Sequence, residues 1–272
     1  MTALIIVFAV LALLLIFYIF AVKGRTGAAD MSGFRKYHYA HRGLHKTGEI
    51  PENSFAAFNA ALNGGYGVEL DVHLTRDGSL IVIHDATLKR TTGVEKLTCE
   101  ITKDELKNYR LENTTETIPE FKEVLSFFAG KVPLIIELKV DGNNYADLCS
   151  SVCEALKDYN GLYCLESFDP RCVLWLKKHR PDLIRGQLTQ NFLISRSVMP
   201  YIVDLGLTLL LGNIITRPDF VGFRFRDRSN ISNKIYRHIW RGNGIYWVIT
   251  NPEDLQTAMA DGYMVIFEDF LP

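Results

Sequence analysis

The pattern of hydrophobic and polar positions divides the chain into two unequal parts. Residues 3–22 form an apolar run of 20 without a charged side chain. A helix of that length, at about 1.5 Å per residue, matches the roughly 30 Å hydrocarbon core of a bilayer. The other 250 residues alternate short apolar runs with amphipathic stretches, which indicates a folded domain.

The apolar run predicts a transmembrane helix over residues 1–22. A cleaved signal peptide is the alternative, but it requires a basic start and an apolar stretch of only about 7–15 residues. Basic residues instead follow the run, at Lys23, Arg25, Arg35 and Lys36. By the positive-inside tendency we expect a single-pass membrane protein with its bulk in the cytoplasm. Residues 23–36 are expected to form a linker, flexible at Gly24–Gly33.

Eight short apolar runs in the second part predict β-strands. They lie at residues 37–43, 67–75, 132–140, 162–168, 184–189, 220–225, 245–250 and 263–269. Helical patterns separate them, and this alternation indicates parallel strands covered by helices. The number of strands and the length favour an α/β fold with a TIM (β/α)8 barrel over residues 37–272, rather than a doubly wound open sheet.

One connection departs from this alternation. Only Arg76, Asp77 and Gly78 separate the second strand from a further apolar run, SLIVIHD. So short a link joins antiparallel strands and cannot make a parallel crossover. We therefore expect residues 76–110 to form a small insertion at the carboxyl end of the second barrel strand, where barrel active sites are built.

Composition narrows the classes of function. The 30 Lys and Arg residues balance 31 Asp and Glu, and a formal net charge of −1 provides no long-range field for nucleic acid. The five cysteines lack CxxC spacing, which argues against a zinc site or a disulfide framework and agrees with a reducing cytoplasm. We expect no nucleic-acid partner, and the sequence leaves the oligomeric state open.

Carboxylates inside the apolar runs predict a metal site. Glu69 and Asp71 are two residues apart and so point to the same side of a strand, and Glu137 lies on the next barrel strand. Three unpaired anions are unstable in a low-dielectric pocket. A hard divalent cation, Mg²⁺ or Ca²⁺ rather than Zn²⁺, resolves the conflict. The alternative is that Arg42 and Lys139 neutralise the carboxylates as buried ion pairs.

Two histidines are expected at the same rim as these carboxylates. His41 follows the first strand and His84 ends the inserted run, and imidazole exchanges protons near neutral pH. Together with a cation, Arg42 and Lys139, they indicate attack on a phosphorus centre. Four other histidines are expected to be structural, namely His38, His45, His179 and His238. The role of His73 stays open.

Six motifs, in order along the chain, carry a resemblance to a known family. They read AHRG (40–43), PENS (51–54), VELDVHLTRDG (68–78), VIHD (82–85), IIELK (135–139) and ESF (166–168). Over roughly residues 37–269 the chain resembles the glycerophosphodiester phosphodiesterase family. The resemblance implies a TIM barrel with a small insertion after the second strand. It also implies metal-dependent hydrolysis of a glycerophosphodiester to glycerol 3-phosphate and an alcohol.

The resemblance further implies roles for individual residues. His41 and His84 would be the acid and base pair, and Arg42 and Lys139 would contact the phosphate. The implied metal ligands are Glu69, Asp71 and Glu137. The family's substrate pocket would include Glu52, Asn53 and Trp247. From physics alone, Asn53 or Ser54 could instead cap the next helix, and Trp247 could be a core aromatic.

Two departures from the family pattern concern substrate specificity. This chain has WVIT (247–250) where the family usually reads WTVN, and VIFED (265–269) where it reads IITD. Glu268 thus replaces a small polar residue. A barrel tethered near a bilayer could also act on lysophospholipids, releasing lysophosphatidate.

Two other functions remain open from the sequence. One is a membrane-tethered module that binds phospholipid head groups without turnover. The other is a barrel phospholipase that cleaves the other phosphorus–oxygen bond, as in the phosphoinositide phospholipase C or sphingomyelinase D groups. The nucleophile could be water or a neighbouring glycerol hydroxyl.

Overall fold

The computed structural model describes residues 1–25, 29–195 and 199–272. Eight parallel strands close into a barrel in the order β1-β2-β4-β5-β6-β7-β8-β9, because β9 pairs with β1. The strands are β1 (Tyr39–His41), β2 (Gly67–Leu74), β3 (Leu80–Val82), β4 (Leu134–Leu138), β5 (Tyr163–Ser167), β6 (Arg185–Thr189), β7 (Phe220–Arg224), β8 (Asn243–Ile249) and β9 (Met264–Phe267). The predicted TIM barrel is confirmed. Seven predicted runs contain a barrel strand, and the run 245–250 overlaps β8, which begins two residues earlier.

Helices follow most of the strands and cover the barrel. The α-helices are α1 (Thr2–Val22), α2 (Phe55–Asn63), α3 (Lys89–Thr92), α4 (Phe121–Phe128), α5 (Tyr145–Ala155), α6 (Pro170–His179), α7 (Tyr201–Thr208), α8 (Asn213–Thr216), α9 (Ile231–Lys234) and α10 (Pro252–Ala260). Short 3-10 segments lie at Phe34–Lys36, Thr98–Glu100, Lys103–Asn108 and Phe225–Asp227, and a π-helical turn at Ile235–Ile239. Ser54 caps α2, since its Oγ accepts a hydrogen bond from Ala57 N at 3.2 Å.

The alternation of side chains along β2 separates the core from the polar interior. Val68, Leu70 and Val72 are buried in the apolar cluster that joins the barrel to its helices. The side chains between them, Glu69 and Asp71, belong to the opposite face of the strand. The strand therefore contributes to the hydrophobic core and to the polar interior at once.

A second apolar cluster closes the amino-terminal end of the barrel. It combines Met31 and Phe34 with residues at the start of barrel strands, such as Tyr39 and Phe220. The Tyr39 hydroxyl donates to Phe34 O at 2.9 Å. The end of the predicted linker is thus packed as a floor beneath the polar interior. The flexibility expected for Gly24–Gly33 falls partly on residues 26–28, which lie outside the described residues.

The inserted segment forms the expected hairpin. β3 pairs antiparallel with the end of β2, in the register Val72↔Val82 and Leu74↔Leu80. Behind it the insertion has an apolar cluster of its own, which includes Ile83, Ile101 and Ile118. Because this cluster reaches Ile118, the packed insertion continues beyond residue 110.

Helix α1 is long and apolar enough to cross a membrane, judged by length and composition. Residues 1–17 are exposed, whereas Ala21 and Val22 are buried against the barrel. A signal sequence near the amino terminus would meet the same criteria of length and composition. The structure therefore establishes one amino-terminal apolar helix whose last turn packs on the folded domain.

Candidate active site

Strand register brings the acidic residues together at the carboxyl end of the barrel. Asp71 of β2 pairs with Glu137 of β4, which pairs with Glu166 of β5. His41, the last residue of β1, pairs with Glu69. Because neighbouring parallel strands place paired residues side by side, these groups share one space inside the barrel.

Three carboxylates in this space have the arrangement of a metal site. One oxygen each from Glu69, Asp71 and Glu137 lies within 4.8 Å of the others, and all three residues are buried. Burial and the charges of Asp71 and Glu137 raise the pKa of Glu69 well above its usual value. Burial also raises the pKa of Glu137. A hard divalent cation fits this all-oxygen donor set, because it would compensate the repulsion that raises these pKa values.

Two cationic side chains border the carboxylates, as the ion-pair alternative anticipated. Lys139 Nζ lies 2.8 Å from Glu137 Oε1 and 3.1 Å from Asp71 Oδ1. Arg42 Nε lies 3.5 Å from Asp71 Oδ2. Burial would raise the pKa of Asp71, but Lys139, His84 and Arg42 hold it well below its usual value. Ion pairing therefore accounts for Asp71, whereas Glu69 has no lysine or arginine nitrogen within 4.0 Å among the described residues and only His41 Nε2 approaches it, at 4.0 Å.

Glu52 and Asn53 support these groups from behind. Glu52 accepts from Arg42 Nη1 at 2.9 Å and receives a two-bond contact from Arg90, at 2.7 and 2.8 Å. Asn53 Nδ2 donates to Asp71 Oδ2 at 2.8 Å. Because the two arginines cover Glu52, it lies outside the cavity wall and orients Arg42. This placement differs from the pocket contact that the family resemblance implies for Glu52.

Both candidate catalytic histidines have Nδ1 held by a carboxylate. His41 Nδ1 is in very close contact with Glu268 Oε2. His84 Nδ1 lies 2.6 Å from Asp85 Oδ1, and Asp85 is itself bound by Arg90 Nε at 2.6 Å. When a carboxylate accepts from Nδ1, the neutral tautomer leaves the Nε2 lone pair available. His41 Nε2 lies 4.0 Å from Glu69 Oε2, and within the described residues neither Nε2 makes a hydrogen bond, so each is available to exchange a proton.

The acid–base properties of the two pairs are shifted in the same directions. Burial lowers the pKa of His41, with the Glu268 hydrogen bond opposing the shift. Burial lowers the pKa of His84 to about 4, although Asp71 favours its charged form. Burial would raise the pKa of Glu268, but the bond and the charge of His41 bring it to about 2. The histidines are therefore neutral and the carboxylate ionised at neutral pH.

The remaining histidines lie outside the cavity wall. His73, whose role the sequence left open, contacts Asp141 Oδ2 at 2.8 Å and His84 O at 3.1 Å. It therefore supports the backbone that carries His84. His45 Nδ1 lies 3.0 Å from His41 O, and His179 Nδ1 lies 2.9 Å from Trp175 O.

The polar groups open into a cavity of about 340 Å³ with one apolar wall. Its lining includes His41, Arg42, Glu69, His84 and Glu137, together with Glu268. Trp247, Phe168 and Leu188 form part of the apolar side, and the rings of Trp247 and Phe168 meet edge to face at 5.4 Å. Trp247 is thus a wall residue of the cavity, not an ordinary core aromatic.

Sequence reasoning missed two acidic contributions to this site. Glu166 is buried on the wall, and its Oε2 has no hydrogen-bond partner among the described residues. Its signal was a charged residue in an apolar strand, level with Glu137. Glu268 was noticed only as a departure from the family pattern. Its contact with His41 depends on closure of the barrel, which local sequence does not reveal.

Comparison with known proteins agrees with this geometry. Residues 41–203 match the family model of the glycerophosphoryl diester phosphodiesterase family. The chain is 36% identical over 166 residues to a glycerophosphodiester phosphodiesterase of Caldanaerobacter subterraneus, covering 57% of this chain and 68% of that protein. It is 37% identical over 139 residues to a lysophospholipase D of Rattus norvegicus, covering 46% of this chain and 42% of that protein.

A solved structure shares the fold. The phosphodiesterase of Oleispira antarctica in complex with the product sn-glycerol 3-phosphate aligns with a TM-score of 0.68 at 23% identity, covering 86% of this chain and 92% of that one. This likeness shows the TIM-barrel fold that the strand order describes. This chain belongs to the glycerophosphoryl diester phosphodiesterase family of hydrolases. Its buried acidic triad is consistent with the metal site typical of that family.

Proposed function

We propose that this chain is a divalent-metal-dependent phosphodiesterase that hydrolyses glycerophosphodiesters or lysophospholipids. The products would be glycerol 3-phosphate, or lysophosphatidate, and an alcohol. The observation that carries the proposal is a single cavity that brings two carboxylate-bound histidines together with Glu69 and Glu137, whose oxygens lie within 4.8 Å of each other and of Asp71. A pure binding module has no need for two imidazoles oriented with Nε2 free.

The proposed chemistry divides the work among the chain's own residues. Glu69, Asp71 and Glu137 would hold Mg²⁺ or Ca²⁺, which when bound supplies positive charge next to a phosphate oxygen. Arg42 and Lys139, beside the triad, would bind the remaining phosphate oxygens.

Proton transfer falls to the two histidines. One imidazole takes a proton at its Nε2 from the nucleophile, water or a glycerol hydroxyl. The other acts from its protonated form and gives its Nε2 proton to the leaving alkoxide. Trp247, Phe168 and Leu188 offer the apolar wall for the organic part of the substrate. The same arrangement serves whichever of His41 and His84 is the acid and whichever is the base.

We also propose that α1 is retained as a single-pass anchor, with a linker at 23–36 and the catalytic domain at 37–272 in the cytoplasm. Three contacts at the end of α1 support retention, since cleavage would remove them. Trp240 Nε1 donates to Ile19 O at 2.7 Å, Asn213 Nδ2 to Val22 O at 3.1 Å, and Arg217 Nη1 to Phe20 O at 3.0 Å. The basic residues after α1 support the cytoplasmic side.

Product analysis of the full chain in detergent tests the proposal. Glycerophosphocholine and lysophosphatidylcholine would be supplied with Mg²⁺, with Ca²⁺, or with a chelator. We expect metal-dependent release of glycerol 3-phosphate or lysophosphatidate, absent with chelator. Asp71→Asn should abolish it, and Asp158→Asn, an exposed carboxylate on the barrel surface, should not.

Other outcomes would favour the alternatives. A cyclic phosphate as the final product would favour the phospholipase alternative. Binding of both compounds without any release, by a folded protein that also binds the cation, would favour the head-group-binding module.

A further inference from the structure

We propose that the catalytic rim of the barrel lies on the surface of the lipid bilayer, held there by α1 and by the exposed apolar side chains of Ile194 after β6, Ile202 in α7 and Ile231 at the start of α9. This inference deepens the proposed function and rests on the anchor assigned there. It adds an orientation of the barrel and a surface that contacts phospholipid. The carrying observations are the direction of α1, its free length and the position of these side chains.

The contacts of α1 define its direction relative to the barrel. Its carboxyl end is held at the amino-terminal side of β7, where Arg217 Nη1 donates to Lys23 O at 2.7 Å and Arg25 N donates to Pro218 O at 2.7 Å. β7 begins two residues later, at Phe220. This end of α1 therefore lies near the floor of the barrel.

One turn earlier, α1 contacts the level of the rim. The Tyr18 hydroxyl lies 3.0 Å from Ser232 Oγ, and Ser232 Oγ donates to Thr208 O at 2.9 Å. Thr208 Oγ1 accepts from Phe192 N at 3.0 Å, and Phe192 comes just after the carboxyl end of β6. From Lys23 back to Tyr18, α1 thus runs in the direction of the barrel strands, and residues before Tyr18 project on the catalytic side.

The free length of α1 brings the rim to the membrane. Residues 2–17 are exposed, and these 16 residues span about 24 Å at about 1.5 Å per residue. The hydrocarbon core is about 30 Å thick, so the free segment alone is short for a span. α1 therefore spans the bilayer only if the part of the helix that packs on the barrel also enters the membrane interface. That places the adjoining rim at the level of the lipid head groups.

Exposed apolar side chains lie on the rim near the contact between Tyr18 and Ser232. Ile194 and Ile202, which follow β6, are 74% and 71% exposed, and Ile231, next to Ser232, is 52% exposed. The β6 and β7 connections are joined to each other, since Asn191 N donates to Asp227 Oδ2 at 2.7 Å. Ile231 therefore lies next to the residue that α1 contacts at the rim, on a connection that is bonded to the one that carries Ile194. Isoleucines at a membrane interface gain free energy by entering the boundary between head groups and acyl chains.

This orientation favours a substrate whose acyl chain stays in the bilayer. A cavity that opens towards the head groups can receive a lysophospholipid phosphate without complete extraction of the lipid. A soluble diester would have to diffuse between the rim and the membrane. Single-chain phospholipids in the membrane are therefore the substrate class of the anchored enzyme.

A fluorescence measurement on the full chain tests the orientation without using activity. Ile202→Cys and, as control, Met259→Cys would each carry an NBD label in a Cys99→Ser background, since the other four cysteines are buried. Met259 is also exposed but lies near the end of α10, which leads to the amino-terminal side of β9. In phosphatidylcholine vesicles containing nitroxide-labelled lipid, quenching at position 202 should exceed that at 259 by about twofold or more.

Equal quenching at the two positions would overturn the proposal. The proposal would also be overturned if, in detergent without vesicles, the NBD label at position 202 became shielded from water as the protein concentration rises. That result would indicate a second copy of the chain on this surface.

Activity in vesicles provides the second arm. Ile194→Ser with Ile202→Ser should slow hydrolysis of lysophosphatidylcholine in vesicles about tenfold, given the apolar area withdrawn from lipid. The same variant should hydrolyse glycerophosphocholine in detergent at the wild-type rate, and Met259→Ser should match wild type in both assays. If wild type hydrolyses neither compound, the proposed function fails. If the soluble diester is hydrolysed but the rim variant equals wild type in vesicles, only the orientation fails.

Discussion

The two histidine–carboxylate pairs of the site have the same chemistry and different architectural origins. His41 and Glu268 are 227 positions apart and meet because β9 pairs with β1 to close the barrel. His84 and Asp85 are adjacent in the insertion. One pair therefore depends on the global fold and the other on a local hairpin.

The pairs also differ in their surroundings. The His41 side chain is 14% exposed, whereas those of His84 and Asp85 are 31% and 28% exposed. Asp85 is further held by Arg90, which also binds Glu52. Water can replace a lost partner more readily at His84 than at His41, because a buried polar group left unpaired costs more. Two pairs with the same chemistry therefore differ in their sensitivity to substitution.

The largest expected effect removes a triad carboxylate that lines the same cavity as both histidines. Glu69→Gln should abolish binding of Mg²⁺ or Ca²⁺ and reduce activity by about 10³-fold or more. Because the pKa of Glu69 is raised in the folded protein, its charged side chain destabilises the fold at pH values above the usual carboxyl pKa. The metal-free variant should therefore be more stable than wild type by about 1 kcal/mol at neutral pH.

Calorimetric metal titration and denaturant unfolding in chelator would measure both consequences of Glu69→Gln. The Gln side chain can still accept from Arg42 N, which donates to Glu69 Oε2 at 3.1 Å. A metal-free variant less stable than wild type would contradict the electrostatic account of the triad.

Breaking the long-range pair should have the next largest effect. Glu268→Ala should lower kcat by about 10²-fold with little change in KM, because Glu268 orients His41 and lines the cavity at its edge. Glu268→Gln should recover part of the loss, since its amide oxygen still accepts from Nδ1–H. Steady-state kinetics would show the split. Equal activity of the Ala and Gln variants would argue against orientation through this hydrogen bond.

Breaking the local pair should cost less. Asp85→Ala should lower kcat by about tenfold, because the more exposed His84 can bind water and remains fixed by its neighbours. His84 O still contacts His73 Nε2 at 3.1 Å. The same kinetic assay, with Asp104→Ala on the exposed face of the insertion as control, measures it. A loss greater than that of Glu268→Ala would reverse the comparison.

The smallest expected effect is a pH dependence of stability from His84. Its pKa is about 4 in the folded protein, below the usual histidine value, so the unfolded chain binds the proton first as pH falls. Stability in chelator should therefore decline between about pH 6.5 and 4. His84→Gln should reduce that decline by about 2–4 °C in Tm. Calorimetric melting across this range would show it, and parallel curves for variant and wild type would contradict it.

Much of the fold was predictable because its signals are local. The strand–helix alternation predicted the eight barrel strands, and the link at residues 76–78 predicted the hairpin of β2 and β3. The spacing of Glu69 and Asp71 predicted a shared face, which the triad with Glu137 confirms geometrically.

Contacts set by the closure of the barrel could not be predicted from local sequence. Glu268 meets His41 only because the last strand returns to the first. Phe34, within the predicted linker, is buried because the barrel floor must be filled. Glu52 lies behind Arg42 because Arg90, from the insertion, reaches across to it. Each depends on a partner distant in sequence, whose position no local pattern specifies.

The central claim is that two histidines act on a substrate held at a metal site that neither of them builds. The most direct test measures Mg²⁺ affinity and product release together for wild type, His41→Ala and His84→Ala. We expect each variant to bind the cation with an affinity within about threefold of wild type and to lose about 10²-fold or more of its product release. Product release at the wild-type level by either variant would contradict the claim. A variant whose product release falls only by the same factor as its Mg²⁺ affinity would also contradict it.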